Sequence, residues 1–168
     1  HAPCLAELGA ERYQRPDDVS TLGRTWWAVR GDGAWCGPGT DAMVRDEGRR
    51  LRTSETRAVS EAFVTHGGLK RLQRAGLWQP FSELVGEVSR TRGFGDWWGH
   101  MLVAEGRCDA MVEANVALYD VAAIKVIVEE AGGAFVTRGD QRLDAGFNEA
   151  VLSANRFLAD PLRERMGF

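Results

Sequence analysis

The clearest periodicity in the chain lies in its C-terminal half. Ile124, Ile127, Val128 and Ala131 recur at i, i+3, i+4 and i+7 and put an apolar stripe on one helical face. Asp120 opens this run, Gly132 and Gly133 close it, and the spacing predicts a helix over Asp120–Ala131. Asp120 is placed to act as N-cap, its side-chain oxygen accepting from the free amides of the first turn, and the glycines supply the stop. Upstream, a strand is expected at Thr25–Val29, with turns at Gly31-Asp32-Gly33 and Gly37-Pro38-Gly39. Beyond residue 50 strands and helices alternate. The expected elements are a strand at Ala58–Thr65, helices at Gly68–Ala75, Pro80–Ser89 and Trp97–Glu105, and a strand at Asp109–Glu113. After the Asp120 helix come short strands at Ala134–Thr137 and Ala150–Ser153, then a closing helix, Pro161–Met166, capped by Asp160. Alternation of this kind indicates an α/β fold, a mixed sheet covered by helices.

Composition narrows the class. The chain has 168 residues, enough for one sizeable core, with 44% hydrophobic and 27% charged residues. Net charge is −3 and the pI about 5.7, so nothing draws the chain in bulk to nucleic acid or to an anionic membrane. No apolar run approaches the length of a membrane span, and no signal-peptide pattern opens the chain. Cys4, Cys36 and Cys108 are odd in number and widely spaced, as expected of reduced thiols in the cytoplasm.

Candidate chemistry centres on Asp120. A helix N-terminus favours anions through its unpaired amides and dipole, and a carboxylate held there can ligate a hard cation that a phosphate then shares. The alternative is that Asp120 only caps a core-packing helix. Other chemistries find little support. His66 and His100 accompany no serine in a nucleophile-elbow motif, the cysteines and histidines lack zinc spacing, and Gly67-Gly68-Leu69-Lys70 lacks P-loop spacing. The basic and aromatic run Arg90-Thr91-Arg92-Gly93-Phe94 is too short to mark an RNA-binding surface.

The stretch Glu113-Ala114-Asn115-Val116-Ala117-Leu118-Tyr119-Asp120-Val121-Ala122-Ala123, ending at Glu130-Ala131-Gly132-Gly133, resembles the second signature of the inositol monophosphatase family. There an aromatic-Asp-x-Ala-Ala helix ends at Glu-Ala-Gly-Gly; the usual Trp is Tyr119 here. Gly93-Phe94-Gly95-Asp96-Trp97-Trp98-Gly99-His100 and the following Cys108-Asp109-Ala110-Met111-Val112-Glu113 are most similar to the histidinol-phosphatase branch. Asn148–Asn155 resembles the late strand and Asn turn of these enzymes, and Leu22–Ala34 a strand before a Gly-x-Gly-Ala turn.

The resemblance implies a sugar-phosphatase-like layered fold, with residues 1–50 as the remnant of an N-terminal antiparallel-sheet domain and 51–168 as the C-terminal α/β domain. It implies a Mg2+-dependent hydrolase of a small phosphorylated substrate, histidinol phosphate or else inositol phosphate, and a homodimer. Asp120 is then a metal ligand, while Glu113, seven residues before it, and Asp96 read the substrate. Asp96 has the alternative of capping the helix at Trp97, and Glu113 that of a solvated strand end. The family's first signature, Asp-Pro-x-Asp-Gly-Thr, is absent; Asp17-Asp18 follows Pro16 without the Gly-Thr. Since Mg2+ seeks octahedral oxygen ligands, a chain with one retained ligand is expected to be an impaired phosphatase, whether it is a fragment or a deletion. The alternative is a catalytically inactive remnant serving as a folded or dimerising module through Trp26-Trp27 and Trp97-Trp98. A truncated first sheet would leave apolar surface uncovered around Trp26 and Trp27.

Overall fold

The computed structural model describes residues 23–38 and 48–168; Cys4, Asp17-Asp18 and Gly39 lie outside them. Two sheets sandwich a helical layer. The first is antiparallel, in the order β1 (Arg24–Val29), β2 (Gly33–Pro38), β3 (Arg49–Arg50), with Trp27 opposite Trp35. The second contains β4 (Phe63–His66), β5 (Arg90–Arg92), β6 (Ala110–Ala117), β7 (Gly133–Thr137) and β8 (Asn148–Asn155), in the order β5-β4-β6-β8-β7. Its β4 pairs parallel with β5 and β6, while β8 runs antiparallel to β6 and β7. The helices are α1 (Leu69–Arg74), α2 (Trp78–Glu87), α3 (Trp97–Ala104), α4 (Leu118–Glu130) and α5 (Ala159–Met166).

Side-chain alternation on the five-stranded sheet builds both of its faces. Ala110, Val112 and Ala114 of β6 join Ala150, Leu152 and Ala154 of β8 on one face, packing with Leu72 of α1, Phe81 of α2 and Leu162 of α5. Val151, from the opposite face of β8, packs with Met101 of α3 and Ile124, Ile127 and Val128 of α4, in a cluster that also takes in Ala34, Cys36 and Leu51 beside the first sheet. The layers are therefore three-stranded sheet, α3 with α4, five-stranded sheet, then α1, α2 and α5.

Carboxylates tie these layers. Glu105 accepts from the Trp26 indole at 2.8 Å, from Arg49 at 3.1 Å and from Arg107 at 3.0 Å. Trp26 also packs edge-on against Trp97 and Trp98, at 5.4 and 5.6 Å between ring centres. Trp27 is buried and Trp26 half-buried, so the apolar surface expected to lie open around them is covered within the chain. Glu130, at the C-terminal end of α4, accepts from the amides of Gly31 (2.8 Å) and Gly33 (3.0 Å), which pins the β1–β2 turn. Asp109 accepts from Ser54 and from the Phe63 amide, and Asn155 donates to Ser54 and to the Thr56 carbonyl.

Several elements differ from expectation. The Ala58–Thr65 segment begins as a 3-10 turn, Val59–Glu61, because the Glu61 and Ala62 amides bond back to Ala58 and Val59; only Phe63–His66 is strand. Strand β2 runs through Gly37 and Pro38, where a turn was expected, because both pair with β1, and β5 is a short basic edge strand without apolar alternation. The strand before the motif runs on past Glu113 to Ala117, through a bulge at which Asn115 takes φ 57°. The last helix starts at Ala159, so Asp160 lies inside its first turn and does not cap it. Asn155 takes over that turn, its Oδ1 accepting from the Phe157 and Leu158 amides at 2.9 Å each.

Close approach of α3 to the sheet depends on Gly99. A Cβ there would lie 2.5 Å from Met111 Sδ and 2.6 Å from the Phe94 carbonyl oxygen. Gly99→Ala is expected to cost about 1–3 kcal/mol by overpacking, read as a lower denaturant midpoint; an unchanged midpoint would show that the contact gives way. Cys36 and Cys108 are free, and burial raises both thiol pKa values, that of Cys108 to about 12, with Asp109 adding to the rise. Both thiols are thus neutral and enclosed at about pH 8. Iodoacetamide should label their peptides only after denaturation, and rapid labelling of the native chain would contradict their burial.

Candidate functional site

Chain connectivity marks one edge of the five-stranded sheet. From β4 the chain crosses to β5 through α1 and α2 on one face, and from β5 it crosses to β6 through α3 on the other. Connections leaving neighbouring parallel strands in opposite directions open a crevice outside the strands' carboxyl ends, where ligands of α/β proteins bind. Here that edge gathers Gly67-Gly68 after β4, the Gly93–Asp96 turn after β5, Glu113 on β6 and the start of α4. The two glycine turns touch: a Cβ on Gly95 would lie 3.9 Å from Gly67 Cα, and one on Gly93 3.2 Å from His66 Cε1.

Glu113 is the buried member, only 3% exposed. Its Oε2 lies 3.3 Å from His100 Nε2, and His100 Nδ1 lies 2.7 Å from Ser153 Oγ. Both His100 and Ser153 are 0% exposed. The imidazole thus bridges the two side chains, Nε2 to the Glu113 carboxyl and Nδ1 to the Ser153 hydroxyl, in donor and acceptor roles set by its tautomer. Although Ser, His and Glu stand in a row, no substrate reaches the enclosed Ser153, so this is no nucleophilic triad. The Gly67 amide donates to the Val112 carbonyl, and a Cβ on Gly67 would meet Glu113 Oε1 at 2.9 Å. Thr65, buried on the neighbouring strand, donates its hydroxyl to Met111 Sδ at 3.0 Å.

The other two carboxylates are exposed. Asp120 is the third residue of α4, not its N-cap: Ala117 holds that position, and its amide donates to Asp120 Oδ2 at 3.0 Å. Extension of β6 to Ala117 brings the helix start forward and shifts Asp120 into the first turn, where a negative charge still favours the dipole. Asp96 stands at the N-cap position of α3 but makes no cap hydrogen bond. Tyr119, the aromatic of the motif, is 87% exposed. The Arg92 guanidinium donates to the Thr91 carbonyl and stays at the surface.

Asp96, Glu113 and Asp120 share the edge but do not converge on one cation. Among the described residues no three His, Cys, Asp or Glu side chains group as a metal site. One exposed carboxylate does not supply the oxygen set that Mg2+ demands, so the described residues do not fit a resident magnesium ion. A separate groove of about 670 Å3 runs along α4 and β7, lined by Arg30, Leu118, Lys125, Phe135, Arg142 and Arg163. Arg30 and Lys125 pair with Glu129 and Arg163 with Asp140, which leaves the groove few polar groups free to converge on a ligand.

Residues 15–166 match the model of the inositol monophosphatase family. The chain belongs to that family. It is similar to the histidinol-phosphatase of Streptomyces coelicolor, 40% identical over 68% of this chain and 41% of that protein. The histidinol-phosphatase of Chlorobaculum parvum is 33% identical over 87% of the chain and 52% of its own length. The inositol-1-monophosphatase of Caulobacter vibrioides is 28% identical over 91% and 60%. The chain therefore spans about half the length of the curated relatives it matches. Among solved structures, Mycobacterium tuberculosis SuhB superposes with a TM-score of 0.68 at 24% identity, covering 84% of this chain and 53% of its own. That likeness establishes the α/β layered fold.

Sequence reasoning missed His100, Ser153 and Gly67. His100 and Ser153 are 53 residues apart, so only the pairing of α3 against β8 brings them together. Gly67 carried a readable signal, a Gly-Gly pair directly after a strand. Because Asp120 serves the helix through an acceptor oxygen, Asp120→Asn keeps that hydrogen bond and is expected to change stability by only a few tenths of a kcal/mol. Asp120→Ala, which loses both oxygen and charge, is expected to cost about 0.5–1 kcal/mol. Urea titrations of both variants check this, and an Asp120→Asn loss as large as that of Asp120→Ala would remove the cap.

Proposed function

We propose that the chain is built for hydrolysis of a small phosphomonoester of the histidinol-phosphate type, with inositol phosphate as the next substrate class, and that it turns over weakly by itself. The observation that carries this reading is the sheet edge itself, where Glu113 is buried against Gly67 and Asp120 lies in the first turn of α4. Similarity to several proteins named histidinol-phosphatase supports the substrate class. In this reading Asp120 is one ligand of Mg2+, and the remaining ligands come from outside the described residues. Glu113 and Asp96 face the alcohol portion of the substrate. A cytoplasmic homodimer, and a division near residue 50 into a sheet remnant and a catalytic α/β unit, belong to the same proposal.

A second reading is a folded module without activity, and the lone carboxylate favours it: no ligand cluster accompanies Asp120 among the described residues. Phosphate release from L-histidinol phosphate and from inositol 1-phosphate, with and without Mg2+, separates the two. The first reading expects slow, Mg2+-dependent release that Asp120→Asn lowers by at least about tenfold. No release above background, from a chain shown by circular dichroism to be folded, establishes the second. Release indifferent to Asp120→Asn would remove Asp120 from the site.

A further inference from the structure

The two edges of the five-stranded sheet are finished differently. Strand β5, at one edge, carries Arg90 and Arg92, both exposed, and charged side chains on an edge discourage a further strand. Strand β7, at the other edge, reads Gly133-Ala134-Phe135-Val136-Thr137, with no charge, proline or bulge. Pairing with β8 uses one side of this strand only. Among the described residues, no amide or carbonyl of Gly133–Thr137 bonds to backbone outside that ladder. Alternate amides and carbonyls therefore face outward, free to pair.

The groove beside α4 runs along this open edge. Phe135 packs into the cluster shared with α4, while Val136 packs against the opposite cluster, which contains Leu162 and Met166 of α5. Successive strand residues point to opposite faces, so a groove lined by Phe135, Val136 and Thr137 together must pass the strand's backbone. Leu118, Ala122 and Lys125 of α4 wall it on one side, and Arg163 of α5 reaches it from the other. Its charge is unbalanced. Arg30 and Lys125 share Glu129, Arg163 takes Asp140, and Arg142 has no ion-pair partner among the described residues. Four cations against two carboxylates leave positive charge in excess along the edge.

We propose that β7 is a strand-addition site for an extended acidic segment of another polypeptide. The incoming segment extends the sheet by main-chain hydrogen bonds to the outward amides and carbonyls, and the cations beside the edge select its acidic side chains. A second copy of this chain suits the edge poorly, because pairing β7 with its own copy would bring two sets of excess cations together. A small ligand finds few free side chains here, whereas a strand uses the backbone itself.

The probe is the blocked peptide EVTVEVE, compared with KVTVKVK, which has the same alternation and opposite charge. Amide hydrogen exchange of the full chain, followed by NMR, reads the result. EVTVEVE is expected to slow exchange at alternate residues of Gly133–Thr137, a pattern that simple surface contact does not produce. KVTVKVK should bind at least about tenfold more weakly, and added salt should weaken EVTVEVE. Arg142→Glu, a change at an exposed position, should weaken EVTVEVE by about threefold to tenfold, through one lost attraction and one new repulsion.

No slowing at β7 with about 1 mM EVTVEVE overturns the site. Equal binding of the two peptides, or full EVTVEVE affinity in Arg142→Glu, overturns the selection of acidic segments. Slow exchange at alternate β7 residues in the free chain, appearing with a concentration-dependent dimer in light scattering, makes a second copy the occupant and overturns the proposal as well.

Discussion

Helix α3 is buried on every side from Gly99 to Ala104, and that single constraint organises the molecule. A helix without a wet face needs protein on all sides. Helix α4 covers part of it, the five-stranded sheet covers another part, and the Trp26, Trp97 and Trp98 cluster reaches it from the three-stranded sheet. Neither sheet therefore stands alone: Ala34 and Cys36 of β2 share one apolar cluster with Met101 of α3 and Ile124 of α4. Glu105, at the C-terminal end of α3, adds a polar tie through Trp26 and Arg49, and two guanidinium groups and an indole offset its desolvation.

The same packing creates the candidate site. Gly99 lets α3 approach Met111 closely, and one residue further along the helix His100 reaches across to Glu113 and Ser153. A bulkier residue at position 99 would lift the helix and with it the imidazole that orients Glu113. Burial of Glu113 is thus a consequence of how the central layer seats on the sheet. Asp96 and Asp120, at the starts of α3 and α4, instead lie at the solvated rim. The buried carboxylate of Glu113 thus lies on the core side of the edge, and the exposed carboxylates of Asp96 and Asp120 on its solvated side.

Much of the fold was legible in the residues. Helices α1 to α4 and strands β1, β7 and β8 fall close to their expected places, because each shows an apolar period or a Gly or Pro boundary. Strand β2 escaped because glycines and a proline at its ends read as turns, although pairing with β1 overrides that preference. Strand β5 escaped because Arg90, Thr91 and Arg92 have no alternation; only the parallel partner β4 makes them a strand. Asp120 was found from its motif yet misplaced by one role, since the bulge at Asn115 carries β6 directly into the helix and leaves Ala117 at the cap.

Local spacing alone determined the alternating α/β order, the helix that follows the motif and the identity of its carboxylate, because these depend on residues within a turn or two of one another. Family membership was equally local, carried by short runs around Asp96, Glu113 and Asp120. Tertiary structure decided that Glu113 is buried, that His100 and Ser153 stand behind it, and that Trp26, Trp97 and Trp98 pack together between layers. It also decided that the carboxylates do not assemble into a cation site among the described residues. Hydrogen bonds and burial between residues tens of positions apart depend on how sheets and helices stack, and no periodicity along the chain encodes that distance.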